Sequence, residues 1–157
     1  MLSRPTLIFL AAGGSAALLI GAYLFQYVGG YPPCALCWWQ RYPHFAAVAI
    51  GLLAAMVPGR ALPLLGALAA LATGGIGVYH TGIERGWWPG PESCTGAGTG
   101  ALGGLSGDAL ISLDAPTGLV MCDEVVWQML GLSMASWNAL ASFGLALIWL
   151  MAARSRV

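Results

Sequence analysis

The sequence predicts an all-α membrane protein: a bundle of four transmembrane helices in one domain, with two extracytoplasmic loops. Three observations carry this. Of 157 residues, 59% are hydrophobic and 8% charged, with a mean hydropathy of +0.79, far from the makeup of a soluble domain. Four apolar stretches, at about 6–28, 36–58, 61–80 and 136–153, approach the roughly 20 residues a spanning helix needs. The arginines divide by side, and with a formal net charge of zero no nucleic-acid partner is expected.

The first stretch is too long for a signal-peptide core. The segment after it, Val28-Gly29-Gly30-Tyr31-Pro32-Pro33, offers no cleavage motif, so a retained span is expected. Its residues Gly13, Ala17 and Gly21 recur every fourth position, as do Gly66, Ala70 and Gly74 on the third. Such faces let helices approach closely. The abundance of small residues in this chain accounts for them equally well.

The second stretch is the weakest. From Tyr42 to Pro58 it would rise only about 25 Å against a hydrocarbon core of about 30 Å. Beginning it near residue 36 supplies the missing length and puts Trp38 and Trp39 in the interfacial belt. The exported loops are then about 29–35 and 81–135.

The second loop is rich in glycine from Thr95 to Gly107 and should be mobile there. Beyond it, Asp123-Glu124 suits a helix N-terminus, and Val126, Trp127, Leu130 and Met134 recur at three- and four-residue steps. A short helix on the membrane surface fits this pattern, as does a plain approach to the last span.

Arg4, Arg60, Arg154 and Arg156 flank one side of the four spans, while Arg41 and Arg85 fall on the other, so both termini are expected in the cytoplasm. All six acids lie between the third and fourth spans, on the opposite side. The same topology exports Cys34, Cys37, Cys94 and Cys122 to where disulfides persist.

The sharpest motif is Pro33-Cys34-Ala35-Leu36-Cys37-Trp38-Trp39-Gln40-Arg41. Two cysteines three apart can close a small disulfide ring, and free backbone N–H groups at a helix start favour a thiolate. One turn on, Arg41 shares the Cys37 face and can hold that thiolate. An arginine at this depth also snorkels to headgroups; the adjacent cysteine favours the redox reading. Structural zinc suits the Cys-x-x-Cys half, but Cys94 and Cys122 lack the spacing of common zinc modules, and no metal is expected. Structural disulfides would gain little in a packed bundle. His80, ending the third span on the exported side, could donate to a carbonyl there, although a lone interfacial histidine is more often structural. His44, three residues after Arg41, has no comparable argument.

The pattern resembles the disulfide bond formation protein B (DsbB) family: four spans, a Pro-Cys-x-x-Cys with an arginine four residues on, and a second cysteine pair before the last span. Further marks are Tyr79-His80-Thr81, Gly86-Trp87-Trp88-Pro89-Gly90-Pro91 ahead of Cys94, and Cys122-Asp123-Glu124 followed by Ser133 to Asn138. The resemblance implies a protein-dithiol:quinone oxidoreductase of the bacterial inner membrane, which reoxidises a DsbA-like periplasmic thioredoxin-fold dithiol oxidase and sustains protein disulfide formation. It implies that Cys94 and Cys122 form the disulfide the partner attacks, with Cys94 taking the mixed disulfide. Cys122 then attacks Cys34 and frees Cys37 beside a quinone, ubiquinone or menaquinone. Arg41 would stabilise the Cys37 charge, and His80 matches the family's histidine near the quinone. Trp38-Trp39-Gln40 and the loop between Cys94 and Cys122 depart from better-known members.

Two other readings compete. Vitamin K epoxide reductases also combine four spans with two cysteine pairs, but there the Cys-x-x-Cys follows the loop pair, whereas here it precedes it. A non-catalytic tetraspan scaffold, its cysteines stapling loops, predicts that Cys37→Ser changes nothing.

Overall fold

A computed structural model describes residues 2–91, 94 and 121–155. The glycine-rich stretch between Cys94 and Cys122 lies outside the described residues. Four long helices carry the fold: α1 (Arg4–Tyr27), α2 (Ala35–Met56), α3 (Ala61–Glu84) and α4 (Met134–Arg154). Helices α1, α3 and α4 are long and apolar enough to cross a membrane. At 22 residues α2 has the length, and the polar residues Gln40, Arg41 and His44 buried along it explain its weaker apolar signal. The third helix runs four residues past the expected end, through Glu84.

Around the bundle α1 packs on α2, α2 on α3, α3 on α4 and α4 back on α1. The core at the terminal pole centres on Trp149 of α4, which is fully buried with Leu7 and Ile8 of α1, Ala54 of α2 and Ala67 and Ala70 of α3. A Cβ built on Gly66 would lie 2.6 Å from the Trp149 ring, so the glycine is needed there for close approach. Gly74 likewise faces Phe143. The face Gly66, Ala70 and Gly74 of α3 is thus a helix contact, whereas nothing lies within 4 Å of a Cβ at Gly13 or Gly21. At the same pole Arg4 Nη2 donates to the Gly59 carbonyl (2.5 Å) and Arg60 Nε to the Ala153 carbonyl (2.7 Å).

The surface helix expected after Cys122 is absent from the described residues. Gln128–Met129 and Leu132–Ser133 instead pair as a two-stranded antiparallel hairpin. Leu130 and Gly131 both have positive φ, 54° and 76°, as a tight two-residue turn requires. Met134 belongs to α4, whose start is capped by Ser133 Oγ accepting from the Ser136 N–H at 3.2 Å.

Candidate active site

Opposite the Trp149 pole, the chain places its cysteines by capping. Pro32 and Pro33 keep the backbone extended up to Cys34, which is the N-cap of α2, its sulfur accepting from the Cys37 N–H at 3.3 Å. One turn of helix then lays the Cys37 sulfur 3.0 Å from that of Cys34. Both are free thiols, Cys34 buried and Cys37 half-buried, while Cys94 and Cys122 are joined in a disulfide. Cys34, Cys37, Cys94 and Cys122 share one buried cluster with Leu36 and Ile83. The bond that Cys34 donates to Cys37, then burial, then the charge of a Cys37 thiolate, hold the Cys34 thiol well above the ordinary thiol range.

His80, buried on α3, joins the two pairs. Its Nε2 lies 3.6 Å from the Cys34 sulfur and 3.9 Å from the Glu84 carboxylate, and the ring also hydrogen-bonds the Cys122 backbone. Glu84 in turn accepts from Ser133 Oγ at the head of α4.

A ladder of amides runs inward from His80. Gln40 Nε2 reaches the Leu36 carbonyl (3.3 Å) and His80 Nδ1 (2.9 Å). Since a carbonyl only accepts, this nitrogen is a donor, His80 Nδ1 is an acceptor, and the His80 proton sits on Nε2, facing sulfur. Gln40 Oε1 accepts from Asn138 Nδ2 at 2.8 Å, and Asn138 Oδ1 lies 2.9 Å from His44 Nε2. Thr73 Oγ1 donates to the Gln40 carbonyl (2.9 Å) and accepts from Asn138 Nδ2 (3.1 Å). Cys34, Cys37 and His80 bring three potential ligand atoms within 4.8 Å of one another.

Beside the cysteines lies a cavity of about 280 Å³. Its apolar wall includes Ala17, Gly21 and Phe25 of α1 with Trp127; Cys37, Gln40, Arg41, His44 and Asn138 supply its polar groups. Ala17 and Gly21 of the α1 small-residue stripe therefore border a cavity. Arg41 is buried, donating to Gln26 Oε1 (2.7 Å) and the Ala22 carbonyl (3.3 Å). The Tyr23 and Trp38 rings lie 4.7 and 4.6 Å from its guanidinium carbon. Among the described residues no carboxylate pairs with it.

The structure thus brings together all the sequence-selected residues, in two groups. Cys34, Cys94, Cys122 and His80 form the buried cluster, with Cys37 and Arg41 on the cavity wall. His80 stands behind Cys34 and Gln40 and does not line the cavity. Gln26, Gln40, His44, Thr73 and Asn138 were not singled out from sequence; their signal is polarity inside otherwise apolar spans.

The family model described as disulfide bond formation protein DsbB matches residues 4–152. The chain is 35% identical over 153 residues to "Disulfide bond formation protein B 2" of Pseudomonas aeruginosa, covering 90% of this chain and 85% of that one. It is 34% identical over 136 residues to "Disulfide bond formation protein B" of Shewanella sp. (strain MR-4), covering 84% and 77%. With the protein of that name from Methylococcus capsulatus it shares 35% identity over 139 residues, covering 83% and 82%. No solved structure matches the chain.

Proposed function

The chain belongs to the DsbB family, and from that premise we propose that it is a membrane dithiol:quinone oxidoreductase that reoxidises a DsbA-like thioredoxin-fold partner. The observation that carries this reading is the two cysteine pairs packed in one buried cluster, the Cys-x-x-Cys end of which opens on an apolar cavity.

Thiol–disulfide exchange needs each attacking sulfur to reach a disulfide in turn. A partner thiolate attacks Cys94, breaking its bond to Cys122, which leaves as a thiolate. Cys122 attacks Cys34 of an oxidised Cys34–Cys37 pair, forming a Cys34–Cys122 bond and releasing Cys37. The partner's second thiol displaces Cys94 and leaves oxidised; Cys94 then displaces Cys34 from Cys122. Two electrons have passed from the partner dithiol to Cys34 and Cys37, and the loop disulfide is restored.

The cavity fits a quinone ring. Its volume is just below the about 300–1,000 Å³ of drug-sized pockets, its wall is largely apolar, and the buried Arg41 cation stands on it with no carboxylate partner among the described residues. A quinone supplies a two-electron, two-proton acceptor. Cys37 presents the sulfur, Arg41 balances its charge, and Cys34 keeps a proton in the bond to Cys37.

The bacterial inner membrane, with both termini cytoplasmic, suits Arg4, Arg60 and Arg154 at the pole away from the cysteines. The test mixes detergent-purified protein, a reduced thioredoxin-fold dithiol oxidase and a soluble quinone, and follows quinone absorbance. Wild type is expected to turn over; Cys37→Ser is expected to stop quinone reduction while Cys94 still traps the partner. No turnover across several partners and quinones would favour a scaffold with structural disulfides.

A further inference from the structure

Arg41 is buried on the cavity wall, and among the described residues the groups that hold it there are all uncharged. Its Nη1 donates to Gln26 Oε1 at 2.7 Å and its Nη2 to the Ala22 carbonyl at 3.3 Å, with the Tyr23 and Trp38 rings against the guanidinium. Ala22, Tyr23 and Gln26 all come from the last two turns of α1, whose C-terminal end itself favours a cation. A buried charge ordinarily takes an opposite charge as its partner, and glutamate at position 26 would put a carboxylate oxygen where the amide oxygen now lies. The amide makes the hydrogen bond without adding an anion. A carboxylate there would offset the positive charge that Arg41 presents to Cys37, one helical turn back.

We propose that Gln26 is a positioning residue for Arg41: it fixes the guanidinium at the cavity wall through an uncharged acceptor, so that the charge of the cation is kept for the Cys37 sulfur. The inference rests on the reading above and deepens it, since there Cys37 presents the reacting sulfur and Arg41 balances its charge. Tyr23 and Trp38 serve the same end, adding attraction to the cation with no countercharge.

Alkylation of Cys37 in the full chain, with Cys34 and Cys37 as thiols and no quinone added, tests this. Peptide mass spectrometry reads the rate at fixed pH, and thermal unfolding is followed in parallel. Gln26→Glu keeps the acceptor and adds a charge, whereas Gln26→Met keeps the shape and loses the acceptor. Gln26→Glu should lower the thiolate share of Cys37 about 10-fold and its alkylation rate about 3-fold, because a more basic thiolate is the better nucleophile, with no fall in melting temperature. Gln26→Met should lower the melting temperature and slow alkylation less than Gln26→Glu does. An acceptor of purely structural value gives the opposite order. A wild-type alkylation rate in Gln26→Glu, or a slower one in Gln26→Met than in Gln26→Glu, would therefore overturn the role of Gln26. Wild type that fails to reduce quinone, while the variants keep the expected order of alkylation, would overturn the quinone reading and leave the placement of charge at Cys37 standing.

Discussion

Replacing Arg41 with glutamine separates charge from shape at the cavity wall. Cys37 and Arg41 are one helical turn apart, a spacing that brings side chains to about 6 Å. At an effective dielectric of about 20, opposite unit charges at that distance attract by about 3 kcal/mol. Since about 1.4 kcal/mol is tenfold in rate, losing this attraction should slow quinone reduction by about 100-fold. The fold should be spared, because among the described residues the guanidinium has no carboxylate that its removal would strand. Arg41→Lys should fall between, keeping the charge but losing the geometry fixed by Gln26, Tyr23 and Trp38. The assay is single-turnover reduction of a soluble quinone by protein whose Cys34 and Cys37 are thiols, alongside thermal unfolding. An Arg41→Gln rate within about 3-fold of wild type, in protein of unchanged melting temperature, would refute the charge argument.

Two further outcomes follow from the geometry. Gly66→Val should destabilise the bundle by about 1–3 kcal/mol, read as a lowered melting temperature, because its side chain would enter the Trp149 ring; Gly13→Ala, with open space around it, should be close to neutral. Brief alkylation of the resting protein, read by peptide mass spectrometry, should label the half-buried Cys37 ahead of Cys34, whose sulfur is buried and holds its proton toward Cys37; the reverse order would contradict that hydrogen-bond direction.

Much of this was legible in the sequence. Apolar length marked out the helices, and the proline pair before Cys34 marked the start of α2 at its cysteine end, because these are local patterns. The hairpin was not legible, since Val126, Trp127, Leu130 and Met134 keep a helical period. Two residues of positive φ at Leu130-Gly131 override that period, and Trp127 packs edge-on to Phe25 with ring centroids 5.1 Å apart. His44 was passed over because its partner is Asn138, 94 positions on. Spacing along one helix cannot reveal a hydrogen bond that is made to another.

The tryptophan wedge at the terminal pole has a consequence for how such a protein can change. Trp149 rests between Gly51 and Gly66, far along the helices from the four cysteines, so the apolar wedge lies at one end of the bundle and the sulfur cluster at the other. The cysteine end is held in another way, by side-chain hydrogen bonds between α2, α3 and α4 and by the buried cysteine cluster. Its walls can therefore leave room for a cavity with a buried cation on it, which the close packing around the tryptophan has no space for.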